Sequence, residues 1–340
     1  MLPNPLRLAL AAAALSLLAT AQAGERDASH DFDFNAGAWK TQIRRLAAPG
    51  RWVDLEGTVV VSDVWNGKAQ LEEIEADGAS GPFEGLTLFV RNPATNQWSE
   101  YFANSRVGIL GTPTIGGFDG KRGEFYGYET RGDRPLFVRG VWSDIHRGSH
   151  RFEQSLSRDG GKTWESDFVA RLTRITAPAA RPAAPDRDRS FDFEMGTWDA
   201  HIHRLRHPLA GAPDDWVDYD GRVVVRPVWG GRANLAEVTG EGPDIHTEFL
   251  VLRLYNPKSR QWSMSFTASR SGVIDAPLVG DYSTGHGEFY GPDTFNDRAI
   301  LVRLLLFPGT DTWRSEQAFS ADGGKTWETN WVTTYKRVRG

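Results

Sequence analysis

The chain has no cysteine among its 340 residues. Disulfides, thiolate nucleophiles, Cys-ligated metals and a lipid anchor on cysteine are all excluded. Stability must come from burial alone. A basic excess is also missing. The formal net charge is -5, and about -6 once Arg7 is discounted, so no field exists to attract nucleic acid. Acidic ligands stay open, because local Arg can hold them. Beyond the first 23 residues, no segment is long and apolar enough to span a bilayer as a helix. A serine elbow, a zinc-protease helix and a dinucleotide fingerprint are absent too. Gly116-Gly117 and Gly230-Gly231 lie at turns, with no following helix to receive a phosphate.

What is present is aromatic material and a repeat. The chain carries 13 Trp, 18 Phe and 8 Tyr, mostly in strand-like runs. Ser157-Arg158-Asp159-Gly160-Gly161-Lys162-Thr163-Trp164 returns as Ser320-Ala321-Asp322-Gly323-Gly324-Lys325-Thr326-Trp327. Phe32-Asp33-Phe34 returns as Phe191-Asp192-Phe193, and Gly37 and Trp39 return as Gly196 and Trp198. A repeat of about 160 residues is a domain, not a solenoid unit. The expected division is a secretory signal peptide at 1–23, with Arg7, an apolar run from Leu8 to Leu18 and an Ala21-Gln22-Ala23 cleavage site. Unit one follows at 27–176, a Pro/Ala-rich linker at 177–187, and unit two at 188–340. The expected location is the periplasm or outside the cell.

Within each unit the period is two. Trp262, Met264, Phe266, Ala268 and Arg270 alternate with serine and threonine, and the counterpart face is Trp98, Glu100, Phe102, Asn104 and Arg106. Val59-Val60-Val61 and Val223-Val224-Val225 are β-branched runs, and Asn92-Pro93 and Asn256-Pro257 mark turns. Roughly eight to ten strands per unit are expected, with no long helix. One antiparallel sheet of that length tends to close, because closure removes its edges. The expectation is an all-β chain of two antiparallel β-barrels, with a sandwich pair as the alternative. Trp39 and Trp198 open the first strands and would plug one barrel end. Ser-x-Asp-Gly-Gly-x-Thr-Trp matches the Asp-box of sialidase-like propellers, but a propeller needs four to eight regularly spaced blades. The motif therefore reads as a β-turn.

Phe-Asp-Phe-x-x-Gly-x-Trp near each start, with Ser-x-Asp-Gly-Gly-Lys-Thr-Trp-Glu near each end, resembles an uncharacterised bacterial family of lipocalin-like domains. That resemblance covers essentially the whole chain after residue 23. It implies tandem lipocalin-like, calycin-type barrels related by internal duplication, and it implies no activity. Paired-lipocalin carotenoid hydratases resemble the plan more loosely, and no residue motif carries their chemistry here.

An enclosed aromatic barrel is an apolar pocket, so polar groups sharing its face are the informative ones. Arg45 and Arg204 share a face with Ile43 and Ile202. Arg106 and Arg270 end the best-patterned strands, and Arg303, like Arg139, sits in an apolar run. Glu237 follows Leu235 as Glu73 follows Leu71, and Glu124 and Glu288 precede Phe-Tyr-Gly. Glu100 and Asn104 stand where unit two has Met264 and Ala268, which makes the first cavity the more polar. Arg suits a carboxylate, phosphate or polarised carbonyl, and a buried Glu suits proton transfer. The competing reading is structural, with buried Arg–Glu pairs closing barrel ends. His201 and His203 share a strand face that could ligate metal with His246 or Glu288. They oppose Ile202 and Arg204, however, which turns them away from the cavity, and no metal or cofactor is expected.

The leading expectation is a secreted or periplasmic binding protein for a small, mostly apolar ligand bearing an anionic or carbonyl group. The alternative is a cofactor-independent lyase, isomerase, hydratase or cyclase, with His203 as base, Glu237 as acid and Arg270 as clamp. Arg45, Glu100, Asn104, Arg106, Glu124, Arg204, Glu288 and Arg303 are the expected substrate-binding residues. A third reading is a carbohydrate- or protein-facing surface module, which a row of exposed Trp would mark. The expected partner is a small molecule, with no nucleic acid and no transmembrane anchor. Oligomeric state is left open.

Overall fold

The computed structural model describes residues 27–131, 133–177, 184, 187–211, 215–243 and 245–338. The 1–23 segment and most of 177–187 lie outside the described residues. The strands form two closed antiparallel barrels of ten strands each; burial alternates along strands such as β1 and β11 and is two-sided along β3–β5 and β13–β15. Barrel one comprises β1 (Gly37–Ala48), β2 (Arg51–Val64), β3 (Ala69–Asp77), β4 (Phe83–Asn92), β5 (Gln97–Asn104), β6 (Thr114–Asp119), β7 (Arg122–Arg131), β8 (Arg134–His146), β9 (Ser149–Ser157) and β10 (Glu165–Ile175). Barrel two comprises β11 (Gly196–Leu205), β12 (Trp216–Val228), β13 (Ala233–Gly242), β14 (Ile245–Asn256), β15 (Gln261–Ala268), β16 (Leu278–Asp281), β17 (Gly287–Phe295), β18 (Arg298–Phe307), β19 (Thr312–Ser320) and β20 (Glu328–Arg337). In each barrel the first strand pairs with both the second and the last, and this closes the sheet. The expected pair of barrels is therefore observed, and the sandwich is not.

One end of each barrel is stoppered by the segment before its first strand. Phe32 sits among Phe89, Trp98, Phe118 and Trp142 at ring separations of 4.7 to 5.7 Å. Trp39 is fully buried and donates its indole N–H to the Asn35 carbonyl at 2.8 Å. The Arg174 guanidinium lies 4.0 Å over that indole and donates to the Phe34 and Ala36 carbonyls. Barrel two repeats the device with Trp198, Glu194 and Arg337. A guanidinium over an indole gains a cation–π term while capping carbonyls the sheet leaves open.

The repeated glycine motif closes the β9–β10 and β19–β20 hairpins, as a turn should. Ser157 and Thr163 donate side-chain hydroxyls to Asp159, and the Thr163 N–H adds a third bond. Gly160 and Gly161 supply the positive φ values. Those donors, the Thr163 amide first, hold the Asp159 carboxyl down at about 2, and Asp322 in the second copy behaves alike.

The barrels meet back to back through β3–β5 and β13–β15. Leu71, Leu86, Leu88 and Val90 pack with Leu235, Leu250, Leu252 and Leu254 in one buried apolar cluster. Each large apolar side chain so buried contributes about 1.5–3 kcal/mol. The polar contacts are reciprocal. The Trp65 N–H donates to Glu237 at 3.2 Å, and the Trp229 N–H donates to Glu73 at 3.0 Å. Lys68 pairs with Glu248, and Arg232 with Glu84. Trp65 and Trp229 both hold left-handed backbone, φ 57° and 55°, which the carboxylate bond across the interface helps to fix. Gly108 and Gly272 let the backbones of the two barrels touch: a Cβ there would lie 1.9 Å from the Tyr255 carbonyl oxygen and 2.0 Å from that of Arg91.

Candidate functional site

The larger inward-facing cavity belongs to barrel one and measures about 450 Å³. Its floor is the aromatic stopper, reached through Phe89 and Trp142. Ile43, Val59, Ile74, Val138 and Phe152 make most of the wall, and Arg45, Arg131 and Asp167 stand toward the open end. Alternation along β3 puts Gln70, Glu72 and Ile74 inward and Leu71 and Glu73 toward barrel two. The same rule puts Trp98 and Glu100 inward on β5.

One wall is acidic. Glu72 lies opposite Thr87, whose hydroxyl donates to it at 2.9 Å. Glu100 lies opposite Thr114 and accepts from its hydroxyl at 2.7 Å and from the Trp142 indole N–H at 2.6 Å. Both side chains are buried. Burial raises the Glu72 carboxyl to about 7, with the Thr87 bond opposing. Burial likewise raises Glu100 to about 7 against its two hydrogen bonds, and the nearby Glu72 charge adds to the rise. Neither carboxyl has a cationic partner among the described residues. Nearer the open end, Arg131 pairs with Asp167 at 2.7 Å, and Gln154 donates to the same carboxylate. The Arg45 Nε is buried with no partner among the described residues.

Below the cavity, His150 is buried against Trp39, Phe34 and Trp142. Neither ring nitrogen has a hydrogen-bond partner among the described residues. Burial first, and the Arg174 charge second, lower its pKa to about 3, so the ring is neutral.

The cavity of barrel two measures about 310 Å³. At the positions of Glu72, Thr87, Glu100 and Thr114 it carries Ala236, Val251, Met264 and Leu278, in the same strand register. Leu304 stands at the place of Gly140. Its buried charge is one layer lower, at the stopper. Arg253 lies 3.0 Å from Glu194 and donates to Asn234, with both side chains of the ion pair almost fully buried. Barrel one has Phe89 and Asn35 at those two positions.

Of the residues expected to bind substrate, Arg45 and Glu100 do share a cavity. Arg204 keeps the inward phase of Arg45 and stacks at 4.7 Å on Trp331, a residue lining cavity two. The others require correction. Asn104 and Arg106 leave the inner face because β5 ends there: the Asn104 side chain and carbonyl accept the N–H groups of Arg106, Val107 and Gly108 in a turn. Arg270, in the matching turn, is exposed. Glu124 and Glu288 point outward because Phe125 and Phe289 take the interior; Tyr126 and Tyr290 hydroxyls donate to them. Arg303 also points outward and stacks on Trp327, as Arg139 does on Trp164.

His203, Glu237 and Arg270 do not form one constellation. His203 is on the outer face, bonded to Asp218 and stacked 4.2 Å from Trp216, and His201 shares that face. Glu237 belongs to the interface between barrels. Among the described residues no cluster of three metal-ligating side chains exists. Glu72, Thr87, Asp167 and Arg131 escaped the sequence reading. The available signal was a difference between copies, Leu71-Glu72-Glu73 against Leu235-Ala236-Glu237.

No protein-family model and no curated protein matches this chain. Among solved structures, it is similar to a protein of unknown function of the DUF3598 family from Nostoc punctiforme. That match has 11% identity, covers 92% of this chain and all of the other, and has a TM-score of 0.28. It is also similar to transferrin binding protein B from Haemophilus parasuis, at 8% identity, 89% and 76% coverage and TM-score 0.18. Kievitone hydratase from Nectria haematococca matches at 10% identity, 92% and 93% coverage and TM-score 0.16. These likenesses carry no argument about the chemistry of this chain.

Proposed function

We propose that the protein is an exported, tandem lipocalin-like binding protein whose working site is the cavity of barrel one. Its ligand is a small, mostly apolar molecule, in keeping with a cavity of about 450 Å³ and its hydrocarbon wall. A carbonyl or anionic group at the ligand's outer end meets Arg45, whose Nε lacks a partner. Barrel two serves as a scaffold that braces the acidic wall from behind.

The observation that carries this reading is the exchange of one wall between copies. Barrel two closes with the same topology over Ala236, Val251, Met264 and Leu278. Carboxyls on this wall are therefore not required to close such a barrel, and burying them without a cationic partner is costly. Their presence in barrel one is explained by something they hold.

A second reading is favoured by the titration of those groups. Carboxyls raised to about 7 can give or take a proton near neutral pH. A cofactor-independent lyase, isomerase, hydratase or cyclase would use Glu72 and Glu100 in place of His203 and Glu237. Native mass spectrometry of the protein purified from its source, with metal analysis, separates the readings. A retained small molecule, lost on Glu72→Ala with Glu100→Met, supports binding. An empty protein that turns over a screened substrate supports catalysis. A molecule retained equally by wild type and variant rules out this wall as the site. The same spectrum gives the mature mass and so tests removal of 1–23.

A further inference from the structure

We propose that the inner end of the ligand is a protonated amine, seated between Glu72 and Glu100. This rests on the cavity reading above and names the chemistry of its deepest contact. Both carboxyls receive only neutral donors, the hydroxyls of Thr87 and Thr114 and the indole N–H of Trp142. Threonine and indole satisfy part of a carboxylate's lone pairs and none of its charge. Among the described residues only one Glu72 oxygen is engaged, by Thr87. Gly140 lets the Phe152 ring and Glu100 come close to the β8 backbone: an added Cβ would sit 3.0 Å from the Phe152 ring and 3.5 Å from Glu100 Oε2. In barrel two Leu304 stands at the place of Gly140, and no carboxyl lies on the facing wall.

The remaining charges favour the same sign. Glu72, Glu100, Glu129 and Asp167 line the cavity against Arg45 and Arg131, four acidic groups to two basic. Arg131 is already committed to Asp167 and Glu129. His150, beneath the floor, is neutral and contributes no charge. An ammonium entering this site restores the ionised form of both carboxyls, so its binding releases protons. A ligand joining an amine to an apolar body, with a carbonyl or carboxylate facing Arg45, would satisfy both ends of the cavity.

The test compares three probes of one shape: 2-(naphth-1-yl)ethylamine, 2-(naphth-1-yl)ethanol and naphth-1-ylacetate. Affinity is read by titration calorimetry on the full chain at pH 8 and pH 5.5. At pH 8 the amine should bind roughly tenfold or more tighter than the alcohol, the scale of a charge-assisted contact. That preference should shrink at pH 5.5, and calorimetry in two buffers at pH 5.5, where the carboxyls start protonated, should show proton release for the amine alone. Glu72→Gln with Glu100→Gln should abolish the preference while keeping alcohol binding. The pH and buffer measurements need no variant, so a misfolded variant does not spare the proposal. Equal affinity of amine and alcohol, or preference for the acetate, overturns the amine and leaves the cavity reading intact. Failure of all three probes overturns both.

Discussion

Barrel one keeps its buried charge halfway up the cavity, unpaired and facing the space a ligand would fill. Barrel two keeps its buried charge at the stopper, where Arg253, at the floor of the smaller cavity, is paired with Glu194. The two barrels share strand order, stopper and turn chemistry, so each is a control for the other. A charge neutralised within the fold holds a barrel together. A charge left without a counter-ion costs stability and calls for an outside partner.

The sharpest way to break this comparison is to exchange the stopper residues. Arg253→Phe alone should destabilise barrel two by about 3–5 kcal/mol, because Glu194 is left buried without its partner and must stay ionised at that cost or take up a proton. Adding Glu194→Asn, which completes the barrel-one arrangement, should recover most of that loss in urea unfolding. Equal losses in single and double variants would mean the pair is not coupled.

Next in size is the acidic wall. A raised carboxyl pKa means the folded protein holds a proton that the unfolded chain gives up earlier. Stability of the unliganded protein should therefore fall as pH rises from about 4.5 to 7 and level off above that. A carboxyl moved to about 7 from 4.5 corresponds to about 3 kcal/mol at pH 8. Glu72→Gln or Glu100→Gln should recover up to that amount at pH 8 and little at pH 4, the second substitution giving less than the first because the two charges interact.

His150 has the opposite sign. Its folded pKa lies near 3, below the 6.5 of the unfolded chain, so its contribution is lost as pH falls below 6.5. At pH 5 the loss amounts to about 2 kcal/mol. His150→Phe should remove that acid arm and leave the alkaline fall caused by the two carboxyls. Barrel two has Trp313 at this place and no such arm.

The smallest expected difference is at the hairpin turns. Asp159→Asn and Asp322→Asn should each weaken their turns modestly and to the same degree, since both carboxylates accept the same bonds. Unequal losses by hydrogen exchange would show that the turns serve different purposes.

Much of the frame was legible in the sequence. Period-two alternation and the doubled motifs carry the strands, the closure and the duplication, and the inward phase of Arg45 and Arg204 follows from Ile43 and Ile202. The site was harder to read because acidic residues occur in adjacent pairs. Glu72 and Glu73 face opposite sides of one strand, and only register decides which meets ligand and which meets the other barrel. Groups kept in both copies, such as Glu73 and Glu237 or Arg139 and Arg303, drew attention as a site, yet they brace the scaffold. Asn104 and Arg106 misled for another reason. The alternation continues in letters beyond the residue where the backbone turns.

The strands that carry Glu72, Thr87 and Glu100 on one side carry Leu71, Leu88 and Tyr101 on the other, and that other side is sealed against barrel two. The acidic wall is thus a party wall, with no solvent behind it. Its carboxyls have no water at their backs to polarise, and its strands have no room to bow outward when a guest arrives. Separating the two halves would wet that wall from the rear and soften it. The second barrel, without touching the guest, would then have been setting both how stiffly it is gripped and how strongly its charge is felt.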